Sequence, residues 1–105
     1  MMPVRRNSRR YLRIRVDGQC AVTGKEVQDA VQRGTLTAYG VHGLSTIEPV
    51  LIDFDEEERA GTIRCNSAGL IKMRSALSLI TSVSDNPSAI RVEKVSGTLK
   101  GLRSK

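Results

Sequence analysis

Hydrophobic and polar positions alternate from Tyr11 to Asp17, with Leu12, Ile14 and Val16 on one face and Tyr11, Arg13 and Arg15 on the other. A period of two marks a half-buried strand, and Asp17-Gly18 supplies the turn that ends it. Thr23-Gly24-Lys25-Glu26 then has the spacing in which a threonine hydroxyl caps the Glu26 amide while Glu26 reaches back. A helix starts there, with Val27, Ala30 and Val31 inward. Gly34 weakens a helix interior by about 1 kcal/mol relative to alanine. A stop at Arg33 is therefore compatible with the pattern, but continuation to Tyr39 with Gly40 as the cap is favoured, which leaves His42 in a loop.

Pro49 opens a second strand, with Val50, Ile52 and Phe54 predicted inward and Leu51, Asp53 and Asp55 opposite. The polar run Glu56 to Gly61 reads as a hairpin loop, and a third strand, Thr62 to Asn66, places Ile63 and Cys65 on one face. Ser67 is a candidate N-cap for a second helix reaching Val83, with Leu70, Met73, Ala76, Leu77 and Ile80 in one stripe that Leu79 and Val83 widen. Asp85-Asn86-Pro87 is turn chemistry, and Ala89 to Val95 is a last strand with Ile90 and Val92 on one phase and Arg91 and Glu93 on the other. This order predicts an α+β fold, a ferredoxin-like (RRM-like) βαββαβ sandwich. Its four-stranded antiparallel sheet would carry the helices on one face and a short helix after the last strand. The first and third strands would be central and the fourth would lie beside the first.

At 105 residues the chain is one domain, read as a basic extension over residues 1–9 and a folded unit over 10–105. Aromatic residues make up only 3%, so the core must be aliphatic, and a platform of stacked rings for reading single-stranded bases is disfavoured. The net charge of +6 is uneven. Six arginines and no acid lie in residues 1–16 (Arg5, Arg6, Arg9, Arg10, Arg13, Arg15), and Arg91, Lys94, Lys100, Arg103 and Lys105 face only Glu93 at the other end. A fold that joins the two ends builds a basic patch suited to a polyanion; otherwise these are two solvated tails.

No apolar run approaches the roughly 18 residues of a membrane span, and no apolar signal core follows the basic start. A cytoplasmic protein without membrane contact is expected. Cys20 and Cys65 match no metal or redox spacing and read as reduced, packed thiols. Zinc would lack ligands, since His42 is the sole histidine. No Ser/His/acid or Cys/His set is present, so no catalytic residue and no bound cofactor is expected on this chain. Asp53 to Glu58 is read as a solvated acidic loop in preference to a Mg²⁺ site.

The outward face of the predicted sheet would carry Arg13, Arg15, Arg64 and Arg91, whose planar guanidinium forks suit phosphate oxygens. For Arg64 the alternative is cross-strand pairing with Asp53 or Asp55; for Arg13 and Arg15 the one obvious acid opposite is Glu93. Beyond Val95, Gly97 can supply a positive φ or a close approach, and Ser96 or Thr98 can cap a short helix through Leu99 and Leu102. That segment is either a cap that seals the core or, with Lys94 and Lys100 beside Ser96, Gly97 and Thr98, also a phosphate site. Leu79 and Val83, at the margin of their stripe, are either core or a surface for a protein partner.

The stretches LTAYGVHGLSTIEPVLIDFDEEERAGTIRCN, MRSALSLITSV and IRVEKVSGTLKGL, in this order and spacing, resemble the archaeal and eukaryotic ribonuclease P protein component 2 family from about residue 10 onward. The resemblance implies a subunit of the endoribonuclease that removes the 5′ leader of precursor tRNA, with the active site and its Mg²⁺ ions held by the RNA. It further implies ribonuclease P RNA and precursor tRNA as partners, pairing with protein component 3, and self-association. The competing readings are a ferredoxin-like regulatory module that binds a small molecule, which has no need of concentrated arginine, and a purely structural assembly protein.

Overall fold

The computed structural model describes residues 8–103. Strand β1 (Arg9–Gly18) follows the alternation of its sequence, with Leu12, Ile14 and Val16 buried and Tyr11, Arg13 and Arg15 half-buried. Arg9 and Arg10 thus belong to the sheet, whereas Arg5, Arg6 and Lys105 lie outside the described residues.

Helix α1 (Gly24–Ile47) begins on the expected capping box: the Glu26 amide donates to Thr23 Oγ1 at 3.2 Å and the Thr23 amide to Glu26 Oε1 at 2.9 Å. It runs through Gly34 because a second helix packs there; a Cβ at that position would lie 2.8 Å from the Ile80 side chain. At Gly40 the backbone leaves helical geometry with φ +75°, as the expected cap requires. The chain then resumes a helical course to Ile47. The loop expected around His42 is therefore helix, and the missed signal is the buried pair Gly43 and Ile47, spaced i, i+4.

Strands β2 (Val50–Asp55) and β3 (Ala60–Asn66) form the expected hairpin. Asp55 Oδ1 accepts from the amides of Glu57 and Glu58 at 2.9 and 3.1 Å, so part of the acidic run serves as turn chemistry. The β2–β3 register shifts between Leu51 and Asp53. This bulge reverses the predicted phase at the start of β2: Leu51 and Phe54 pack on the core, while Val50 and Ile52 are exposed.

Ser67 does not cap the second helix. It opens a short 3₁₀ turn, Ser67–Gly69, and helix α2 (Leu70–Leu79) follows without a side-chain cap. The helix ends four residues before Val83, which belongs to the two-residue strand β4 (Ser82–Val83) and is fully buried. Ser84 and Asp85, with φ of 53° and 66°, turn β4 into β5 (Asn86–Ser96). Two consecutive positive φ angles are what a tight two-residue hairpin requires. The sheet is accordingly five-stranded instead of four-stranded, in the antiparallel order β2-β3-β1-β5-β4, and the neighbours expected for the four longer strands are present within it. A short helix, α3 (Leu99–Arg103), lies against β1 and β5.

The core is aliphatic. Leu12, Ile14, Ile63 and Ile90 from the sheet meet Val27 and Val31 of α1 and Met73, Ala76 and Leu77 of α2. Burying each large aliphatic side chain contributes about 1.5–3 kcal/mol relative to leaving it in water. Cys65 lies in this core and burial pushes its thiol up to about 11, but Cys20 is exposed and is not a packed thiol. No helix is long and apolar enough to cross a membrane.

Candidate nucleic-acid interface

Because α1 and α2 cover the face bearing Leu12, Ile14 and Ile63, strand alternation sends the intervening residues to the other face. The register sets them side by side. Arg13 is opposite Thr62 on β3 and Lys94 on β5; Arg15 is opposite Ala60 and Arg91; Tyr11 is opposite Arg64 and Ser96. On these three adjacent strands Arg9, Arg13, Arg15, Arg64, Arg91 and Lys94 stand against two carboxylates, Asp17 and Glu93. The basic first and last long strands, β1 and β5, thus meet on one surface, where charges of like sign concentrate.

A bulge in β5 shapes this surface. Lys94 pairs with Arg13 and Val92 with Ile14, so Glu93 is an extra residue in the ladder. The bulge resets the strand's phase. Val95 returns to the core side opposite Leu12, while Glu93 and Lys94 both serve the outer face. Simple alternation would have sent Lys94 into the core with Ile90 and Val92. The three-residue spacing from Val92 to Val95 was the readable sign of the correction.

Glu93 is the electrostatic hub. Its Oε2 accepts from Arg15 Nε at 2.9 Å and from Arg91 at 3.5 Å, and its Oε1 lies 3.9 Å from Arg13 Nε. Arg91 also donates to both oxygens of Asp17, at 3.1 and 3.3 Å, and Arg15 donates to the Glu58 carbonyl at 2.7 Å. The hydrogen bond from Arg15, reinforced by the surrounding guanidinium charges, holds the Glu93 carboxyl below the usual glutamate range; that from Arg91 does the same for Asp17. Both folded-state values are depressed, so the pairs stabilise the fold above the ordinary carboxylate range and lose that contribution as pH falls through the lowered values. In a carboxyl-resolved NMR titration, Glu93 and Asp17 should protonate at lower pH than solvated acids, and Arg15→Ala should move the Glu93 midpoint upward.

Arg64 sits between Tyr11 on β1 and Val50 on β2, while Asp53 is opposite Thr62 and Asp55 opposite Ala60. The expected neutralising acids are thus displaced along the strand, and Arg64 Nε is buried without a hydrogen-bond partner.

After β5, the Gly101 amide donates to Thr98 Oγ1 at 2.9 Å, which caps α3, and the Thr98 amide donates to Ser96 Oγ at 3.2 Å, which fixes the turn before it. Leu102 is buried and anchors α3. Gly97 has neither of the expected reasons to be glycine: its φ is not positive, and a Cβ there would meet Arg10 at an ordinary 3.6 Å. The amides of Thr98 and Gly101 are taken up within the segment, which accounts for Ser96 and Thr98 without a phosphate. Thr98→Val should lower the unfolding free energy by about 1 kcal/mol in denaturant melts, with little change in RNA affinity per folded molecule.

On the helical side, a groove of about 420 Å³ runs between α1 and α2, with Ala30, Gly34, Ala38 and Ala76 among its lining and Leu79 and Ile80 beside them. Leu79 is 67% exposed and remains available as a contact surface. Val83 does not, since it is core. Among the described residues no group of three or more His, Cys, Asp or Glu is placed to hold a metal ion.

Comparison with known proteins agrees with this architecture. Residues 10–105 match the Rpp14/Pop5 family. The chain is 31% identical to "Ribonuclease P protein component 2" of Pyrococcus furiosus, over 98% of this chain and 86% of that protein. It is also 31% identical to the protein of the same name in Methanococcus vannielii, over 98% of this chain and 78% of the relative. Its fold superposes on a chain in the cryo-EM structure of yeast ribonuclease MRP with a TM-score of 0.74 at 16% identity, covering 92% of this chain and 79% of the other. Matching along nearly its whole length, the chain belongs to the Rpp14/Pop5 family.

Proposed function

We propose that this protein is an RNA-binding subunit of ribonuclease P, the endoribonuclease that removes the 5′ leader of precursor tRNA, and that it works in the cytoplasm. The observation that carries the reading is the arginine face. Six cations on three adjacent strands oppose two carboxylates, on a chain that full-length relatives link to the ribonuclease P protein components. Catalysis and the Mg²⁺ ions belong to the RNA in this reading, and the protein contributes cations that offset the repulsion between RNA segments. The outward residues of β1 and β3 are chiefly arginine, threonine and asparagine, so the contact is to the backbone of folded RNA, not to stacked bases. Within this reading the four longer strands with α1 and α2 form the ferredoxin-like (RRM-like) unit, to which the β4 hairpin and α3 are additions.

The decisive experiment reconstitutes cleavage from ribonuclease P RNA, protein component 3 and this chain. Addition of the chain should lower the Mg²⁺ concentration needed to cleave precursor tRNA. No effect on the Mg²⁺ dependence would remove the proposal. A regulatory module would instead bind a small molecule and show no salt-dependent affinity for RNA.

Contact with protein component 3, or self-association, is assigned to the groove between α1 and α2, because Leu79 there is an exposed apolar side chain next to small residues. Leu79→Asp should leave the thermal midpoint nearly unchanged and abolish the association in analytical ultracentrifugation. Retained association would move the contact to another surface.

A further inference from the structure

We propose that Arg13, Arg15 and Arg91 form one composite phosphate site whose resting occupant is the carboxylate of Glu93, which an RNA phosphate displaces. The inference rests on the reading of this face as an RNA surface and adds how the surface is held ready. Three guanidinium groups from two strands converge on one carboxylate: Arg15 at 2.9 Å, Arg91 at 3.5 Å and Arg13 at 3.9 Å. The β5 bulge is what puts that carboxylate among them, since Glu93 is the residue left without a ladder partner. Bulges commonly re-aim a side chain in this way.

Displacement is easy for a physical reason. The side chain of Glu93 is 27% exposed and those of its three arginine partners range from 32% to 54%, so the pairs are solvated and each is weak. A carboxylate has one charge and two oxygens for three forks. An RNA phosphodiester carries the same single charge and two free oxygens, but on a tetrahedral phosphorus not tethered to β5, so it can accept from Arg13 and Arg91 in geometries that the 3.9 and 3.5 Å contacts to Glu93 do not reach. Until RNA arrives, Glu93 keeps three like charges from splaying apart. It acts on RNA only through them and is a positioning residue. Its removal has two opposed effects, namely loss of a competitor and loss of an organiser, and the weakness of the pairs makes the first the larger.

The test compares Glu93→Gln with Glu57→Gln in the full chain, by titrating folded ribonuclease P RNA at several salt concentrations. Glu57 lies in the exposed hairpin turn and pairs with none of the three arginines, so its variant makes the same change in net charge without emptying the cradle. Glu93→Gln should tighten binding by about five- to tenfold and steepen the salt slope by about one, against at most about twofold for Glu57→Gln. The gain should vanish when Arg13, Arg15 and Arg91 are all alanine. Equal effects of the two glutamate variants, or weaker binding by Glu93→Gln, would overturn displacement while leaving the RNA face intact, provided the arginine variants still lose affinity. If the arginine variants lose nothing either, the RNA face itself is wrong. Because a glutamine can still accept a hydrogen bond from Arg15, Glu93→Ala is measured alongside it. A gain in Gln that becomes a loss in Ala would also overturn the proposal, by showing that the organising role dominates.

Discussion

Alanine at Arg13, Arg15 and Arg91 together is expected to lower the affinity for ribonuclease P RNA at least about fivefold near 0.15 M salt, and to reduce the slope of log affinity against log salt by about 1, because the three hold one phosphate. The estimate follows from counterion release: each neutralised phosphate contributes about 0.9 to that slope, which near physiological salt is about fivefold in affinity. The change also weakens the local positive field, because Asp17 and Glu93 lose these arginine partners. Six cations facing two carboxylates become three, Arg9, Arg64 and Lys94, facing the same two. Folding should survive, since the pairs are solvated and exposed pairs contribute little to stability. Binding isotherms over a range of salt check the result, and an unchanged slope in a folded triple variant would place the RNA elsewhere.

Leu77→Ala is expected to have the largest effect on stability, a loss of about 2–5 kcal/mol. Leu77 is fully buried in the cluster between α1, α2 and the sheet. Against a typical domain stability of about 5–15 kcal/mol, this should lower the thermal midpoint by roughly 10 °C or more. The comparison with Leu79 sharpens the test. Two residues further on, Leu79 is 67% exposed, and its change to aspartate should cost little. If Leu77→Ala melted within about 1 kcal/mol of the wild-type protein, the packing of α2 on the sheet would be wrong.

The strands most legible in the sequence were those with one wet and one dry face. In β1 and β3 the choice of inward residue was correct at Leu12, Ile14, Val16, Ile63 and Cys65, because a one-residue slip would have buried arginines. The capping box at Thr23 and the break at Gly40 were equally local and equally readable. Errors arose where the ladder departs from strict alternation. The bulges in β2 and β5 each shift the phase by one residue, which placed Val50 and Ile52 wrongly and concealed the outward turn of Lys94. The end of α2 was overrun for a related reason: apolar spacing through Ile80 and Val83 fits a helix, yet the same residues serve a hairpin whose turn is set by Ser84 and Asp85.

For the candidate site, the ingredients are legible in the residues alone: two basic ends, the first rich in arginine, one glutamate among the cations near the second, and a strand order that makes the ends neighbours. Local composition, periodicity and turn chemistry suffice for that. Which charges meet depends on how the strands pair in three dimensions. The distance from Glu93 to Arg13 and Arg15 spans most of the chain in sequence and a few ångströms in space, and it depends on the β1–β5 register and on a single extra residue in β5. The displacement of Asp53 and Asp55 from Arg64 was likewise a matter of register. Electrostatic pairing falls off over a few ångströms while one residue of strand advances about 3.3 Å, so a one-residue shift is enough to exchange a partner for none.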